Sequence, residues 1–201
     1  MASYAAIADA SETLIELLRD RITERGDVVS VTRSEIALVS PADVGADSDV
    51  RLSLFLYDVT ENSVLKNQED VRVDSRRTKE APLALDLRYV LTAFPSQSGG
   101  DETATALDQQ RMLGLAMQVL YDNSILGADE LPSTLAERDL QITLEDESLG
   151  AMADVWNTFG DTAMQPAVTY LVSPVMIDAT REQVTGRVTE TERDYRTPGG
   201  E

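Results

Sequence analysis

Residues 51–68 read RLSLFLYDVTENSVLKNQ, and the fold turns on how far the strand at the head of this stretch extends. Val50, Leu52, Leu54 and Leu56 fall on one side of an extended chain, Phe55 and Tyr57 on the other, because successive side chains of a strand alternate. Both sides are largely apolar, so the spacing predicts a strand over 50–57 inside a sheet rather than at its edge. The strand runs into the polar ENSVLKNQ with no Gly or Pro to turn it. Two readings stand: an ordinary polar connection, or a docking surface held at the end of a rigid strand.

Downstream, APLALDLRYVLTAFP at 81–95 alternates Leu83, Leu85, Leu87, Tyr89 and Leu91 with Ala84, Asp86, Arg88, Val90 and Thr92. The first set predicts a core face and the second a mostly polar one, with Pro82 and Pro95 bracketing the strand. Further strands are predicted over 139–146 and 166–178, and shorter ones over 28–32 and 34–40, ahead of a loop at 40–49. Pro174 cannot donate to a ladder, so the strand over 166–178 lies at an edge or is bulged there. Helical periodicity predicts helices over 5–22, closed by Gly26, over 104–122, and over 148–159 with Ser148 as N-cap. The apolar positions between Met112 and Leu120 cover an arc of roughly 200° at 100° per residue. One sheet contact does not need so wide an arc, which calls for a second covering surface, another helix or a neighbouring subunit. From Ala179 onward apolar residues are too few for a core segment, and the expectation is a tail, 179–201, disordered alone and ordered on a partner. The fold class read from this pattern is α+β: one domain over 1–178, mostly antiparallel sheet with helices packed on one face.

The chain has 201 residues with no Cys and no His. That excludes thiol chemistry, disulfides, Cys/His zinc sites and His-dependent triads. Thirty-six acidic residues stand against 17 basic ones, a net charge of -19. Nucleic acid is disfavoured as a partner, since phosphate binding needs clustered Lys and Arg. Lys66 and Lys79 are the only lysines, and an acidic, lysine-poor surface is the composition expected in concentrated salt, where screening removes most self-repulsion. The N-terminus shows no basic region leading into an apolar one, so no Sec-type signal peptide is read, and no apolar run is long enough to insert in a membrane.

Carboxylates are the only raw material for catalysis. Asp43, Asp47 and Asp49 share a loop, but not with the spacing of a calcium-binding loop. Glu145, Asp146 and Glu147 offer a carboxylate pair of the kind used on sugars, though adjacency in so acidic a chain arises readily by chance. Lys66 and Lys79 lie in no apolar run that would depress an amine pKa. Gly99 and Gly100 fit no phosphate loop. Tyr57, Tyr89, Tyr121 and Trp156 read as core aromatics with a polar edge, some of which can anchor an interface. No cofactor is called for.

Four blocks taken in order, ENSVLKNQ after RLSLFLYDV, then APLALDLRYVLTAF, then QQRMLGLAMQVLYDNSIL, then DVWNTF with PAVTYLVSPVMID, resemble the tail-terminator or cap subunit of extracellular contractile injection systems. These are phage-tail-like particles with a contractile sheath around an inner tube. The resemblance spans about residues 5–178. It implies a phage tail-terminator-like fold and a structural protein rather than an enzyme. It also implies a homohexameric ring that caps the last sheath and tube rings, assembled in the cytoplasm into a particle released outside the cell. Asn62, Leu65, Lys66 and Asn67 match the family's recurring Asn, Leu, basic and Asn positions, which makes them interface candidates. Asp86 and Arg88 on the polar strand face, and Met112 and Met117 on the wide helical arc, complete the candidate set. The alternatives are an enzyme that uses carboxylates or a divalent cation, and an assembly chaperone for sheath or tube subunits.

Overall fold

The computed structural model describes residues 4–68, 70–72, 74, 77–97, 101–136, 138–160 and 162–184, with backbone only at 71, 72 and 182–184. Its frame is a six-stranded sheet in the order β1-β2-β5-β8-β7-β6. The strands are β1 (Ile36–Ala37), β2 (Leu52–Glu61), β5 (Leu83–Ala93), β6 (Ile125–Leu126), β7 (Leu140–Leu144) and β8 (Ala167–Ile177). All pairings are antiparallel except β1 with β2. Helices α1 (Ala6–Thr23) and α2 (Glu102–Asp122) cover one face, while the short α3 (Leu149–Asn157) lays Trp156 on the other. A second sheet, in the order β3-β4-β9, is formed by β3 (Val71–Arg72), β4 (Arg77–Lys79) and β9 (Glu182–Val184).

The main core forms because α1 and three strands bring apolar residues to one layer at matching periods. Leu14, Leu18 and Ile22 recur every four residues along α1 and are buried against Leu52, Leu54, Leu87, Tyr89, Leu91 and Val172 of the sheet. Burial of each such side chain contributes about 1.5–3 kcal/mol. The wide arc of α2 is divided between the sheet and α1, so the second covering surface is a helix. The head of β2 is tied to α2 by the buried Arg51, whose Nη2 lies 2.5 Å from Asp108 Oδ2. Gln109 of α2 donates to the carbonyl of Ala93 at 2.7 Å.

The opposite sheet face is more apolar than its alternation suggests. Ala84, Val90 and Thr92 are all buried: Trp156 and Phe159, edge-on and 5.5 Å apart with Phe55 5.8 Å from Phe159, cover Val90, while Met176 and Leu65 pack on Ala84. Trp156 keeps its indole N–H satisfied by the carbonyl of Thr162 at 2.9 Å. Ser148 caps α3 as expected, its Oγ accepting from the amide of Ala151 at 3.2 Å.

Several expectations are corrected. Residues 28–32 form a turn and irregular chain, and only Ile36–Ala37 of 34–40 pairs with a strand; Val29 is buried by packing rather than by a ladder. Gly26 is not a left-handed cap, since α1 ends at Glu24 in right-handed geometry and, among the described residues, only Gly160 has a positive φ. Leu83 is exposed, beyond the reach of either long helix. Residues 182–184 are paired to β4, so the tail boundary at 179 falls too early; residues 185–201 lie outside the described residues. Of the two readings for Pro174 the bulge holds: β8 lies inside the sheet, between β5 and β7, and Pro174 sits in a bulge where Leu85 and Leu87 of β5 face Val175 and Val172.

Candidate functional site

β2 does not stop at Tyr57. It pairs with β5 as far as Glu61 opposite Leu85, through a bulge between Leu56 and Asp58. Before the bulge Phe55 faces the α3 side; after it Asp58 and Thr60 do. One extra residue reverses which face each side chain takes. Without it Asp58 would be turned toward the layer of Leu87. With it Asp58 and Thr60 meet Arg88, whose Nη1 donates to Asp58 Oδ2 at 3.1 Å and Thr60 Oγ1 at 2.9 Å, and whose Nε donates to Glu145 Oε1 at 3.2 Å. Burial works to lower the Arg88 pKa, but Glu145 and Asp58 outweigh it and hold the guanidinium above its ordinary value. Burial, followed by the charges of Glu145 and Glu147, pushes the Tyr57 phenol up to about 12.

At the end of this extended β2 the chain turns at Asn62, which satisfies four neighbours at once. Its Oδ1 accepts from the amides of Val64 at 3.0 Å and Leu65 at 2.9 Å, the local bond pattern of an Asx turn. Its Nδ2 donates to Asp86 Oδ1 at 2.7 Å and Ser173 Oγ at 3.1 Å. Ser173 in turn donates to Asp86 at 2.5 Å. Asn62 therefore holds the turn locally and also anchors it to β5 and β8. Leu65 packs on Ala84 and Met176, and Val64, 86% exposed, is presented outward. Lys66 pairs with Glu61 at 2.8 Å, and that hydrogen bond raises its pKa. Asn67 is exposed at the end of the turn.

The candidate residues thus separate into groups. Asn62, Leu65 and Asp86 belong to one anchored turn; Lys66 and Asn67 lie on its exposed side; Arg88 holds a neighbouring polar cluster on the same sheet face. Met112 is a correction: it is fully enclosed in the core of a single chain and has no surface to offer a neighbour. Met117 is half-buried beside an apolar groove. Ser173 was not foreseen, because its partners lie 87 and 111 residues away.

Among the described residues no three Asp or Glu side chains form a group that could hold a metal ion. Asp43, Asp47 and Asp49 are exposed in their loop. Glu145 is engaged by Arg88, while Asp146 and Glu147 are exposed. Lys79 pairs with Asp178 at 3.3 Å and fastens β4 to the end of β8. Among the described residues no helix is long and apolar enough to cross a membrane.

Comparison with known proteins gives a consistent result. The family model described as the Pvc16 N-terminal domain matches residues 9–191. No curated protein matches the sequence. Among solved structures, the chain is similar to the PVC sheath/tube terminator of an extracellular contractile injection system in its extended state, with 16% identity and a TM-score of 0.63, covering 96% of this chain and 64% of that one. It is also similar to the tube-terminating cap of the anti-feeding prophage, with 17% identity and a TM-score of 0.56, covering 94% of this chain and 61% of that one. The chain therefore spans less than two thirds of the length of either structure. At these identities the likeness establishes a shared fold.

Proposed function

We propose that this chain, which belongs to the Pvc16 N-terminal domain family, is a structural cap that ends the sheath and inner tube of a contractile injection particle. The observation that carries the reading is the family match across nearly the whole described chain. Both structural neighbours are themselves a terminator and a cap, which supports it. Capping is binding without turnover, and the chain acts through rigid surfaces rather than through a catalytic group.

The partners in this reading are a second copy of the chain, closing a homohexameric ring, together with sheath and inner tube protein. The turn at 61–68 is one contact surface. Its tie to Asp86 and Ser173 means that Val64, Lys66 and Asn67 are presented with little ordering entropy left to lose on binding. The acidic, lysine-poor surface suits assembly in concentrated salt.

The test is to locate the chain. A gold label on a tagged copy should decorate one end of each purified particle, opposite the baseplate, with six copies per end. Label spread along the sheath, or absent from intact particles, would replace the cap with a sheath component or an assembly chaperone.

A further inference from the structure

An apolar groove of about 370 Å³ lies where α2 passes the end of β7, with Met117, Leu120 and Tyr121 on one wall and Ile142, Leu144 and Tyr170 on the other. Tyr121 is 81% exposed and Leu144 50%. The anchored turn at 61–68 makes no part of it.

The backbone beside the groove is also open. Glu145 donates to the carbonyl of Thr169 on β8 at 3.0 Å. Groups along an antiparallel strand alternate in direction, so the N–H and C=O of Leu144 point away from β8. Two residues earlier the same outward direction lets Ile142 donate to Ser124 at 2.8 Å. At Leu144 β6 has run out, and among the described residues its outward amide has no partner. A short edge strand normally blunts a sheet; β6 leaves this end of β7 unblunted.

Charge selects the occupant. Between residues 112 and 180 there are eleven Asp and Glu side chains and one cation, Arg138. Asp122 follows Tyr121, and Asp146 and Glu147 follow Leu144, all of them exposed. A second copy is a poor match: it carries the same net charge of -19, and most of its described cations, Arg33, Arg51, Lys79 and Arg88 among them, are already engaged in ion pairs within the chain. Residues 185–201 are no better, with three arginines against four carboxylate side chains.

We propose that the groove and the open edge of β7 receive an extended segment of a different protein, an apolar residue flanked by Lys or Arg, which adds as a strand beside Leu144. Main-chain hydrogen bonds to Leu144 supply register, the groove takes the apolar side chain, and the acidic rim selects its neighbours. This does not depend on the capping role.

The test uses the full chain and two capped peptides, KRVLVRK and EEVLVEE, at low ionic strength. KRVLVRK should bind saturably and slow amide exchange at Leu144, while EEVLVEE should bind at least about tenfold more weakly. Tyr121→Ser and Leu144→Ser, both at exposed positions, should each weaken KRVLVRK about tenfold with an unchanged thermal midpoint. In concentrated salt the preference between peptides should shrink while protection at Leu144 persists. Absent binding, equal binding of the two peptides at low salt, or an unprotected Leu144 amide overturns the proposal. Concentration-dependent self-association abolished by Leu144→Ser also overturns it, assigning the groove to a second copy.

Discussion

Asn62 shows how one amide can serve both a turn and the fold. Its oxygen satisfies two turn amides, and its nitrogen reaches a carboxylate and a hydroxyl on two other strands. Asn62→Ala strands those partners, and the half-buried Asp86 retains only Ser173. The expected loss is about 1–3 kcal/mol of stability, read by denaturant unfolding, with faster amide exchange confined at first to 63–67. Asn62→Asp keeps the acceptor side but sets a second carboxylate against Asp86, and should be no milder. Tyr89 tests a different property. Burial, opposed only in part by the hydrogen bond shared with Ser11, pushes its phenol from 10.0 up to about 12, and burial does the same to Tyr170. A pKa raised in the folded state means the folded chain holds the proton longer, so the contribution is complete below about pH 10 and is lost as pH rises toward 12. Stability should fall across that window, and Tyr89→Phe should make the fall shallower while leaving stability near pH 7 little changed. A slope identical in wild type and Tyr89→Phe would remove Tyr89 from this account.

At the scale of elements, legibility follows the range of the interactions. β5, β8 and α2 are long and strongly periodic, and their cores were readable as spacing alone: Leu85, Leu87, Tyr89 and Leu91 are all buried as alternation requires. The second surface on α2 was also legible as a need, and α1 meets it. The elements that sequence spacing does not show are held by distant partners. β4 and β9 are polar three-residue strands that find each other across about a hundred positions, and nothing in either segment announces it. The bulge at Tyr57 is equally silent, yet it decides that Asp58 and Thr60 reach Arg88. The candidate site is visible as four positions in a turn with Asp86 and Arg88 on a strand face; Ser173, and the bonds that join Asn62 to Asp86 and Ser173 across strands, are not. Met112 and Met117 separate core from surface on α2. Met112→Asp buries an unpaired carboxylate and should unfold the chain, at a cost of several kcal/mol, whereas Met117→Asp, half-exposed beside the groove, should leave a folded protein by circular dichroism. Equal destabilisation of the two would mean that the groove closes in solution.

For the molecule as a whole, a net charge of -19 opposes compaction unless it is screened. At 1 M salt the screening length falls to about 3 Å, so the thermal midpoint should rise steadily from dilute buffer into the molar range. An unchanged midpoint would show that the intrachain pairs of Arg33 with Asp20 and Glu16, and of Arg88 with Asp58 and Glu145, already offset the repulsion. The architecture fits a subunit that works by being stiff. Two helices on one sheet face and an aromatic cluster on the other leave rigid surfaces at the 61–68 turn and at the end of β7. The central claim is that the chain terminates a growing particle. Its most direct measurement is electron microscopy of particles purified from cells with and without the gene, comparing sheath and tube lengths and the density at the end away from the baseplate. The account predicts particles of uncontrolled length, or unstable sheaths, with no density at that end when the gene is missing; particles of normal length with an intact end would contradict it.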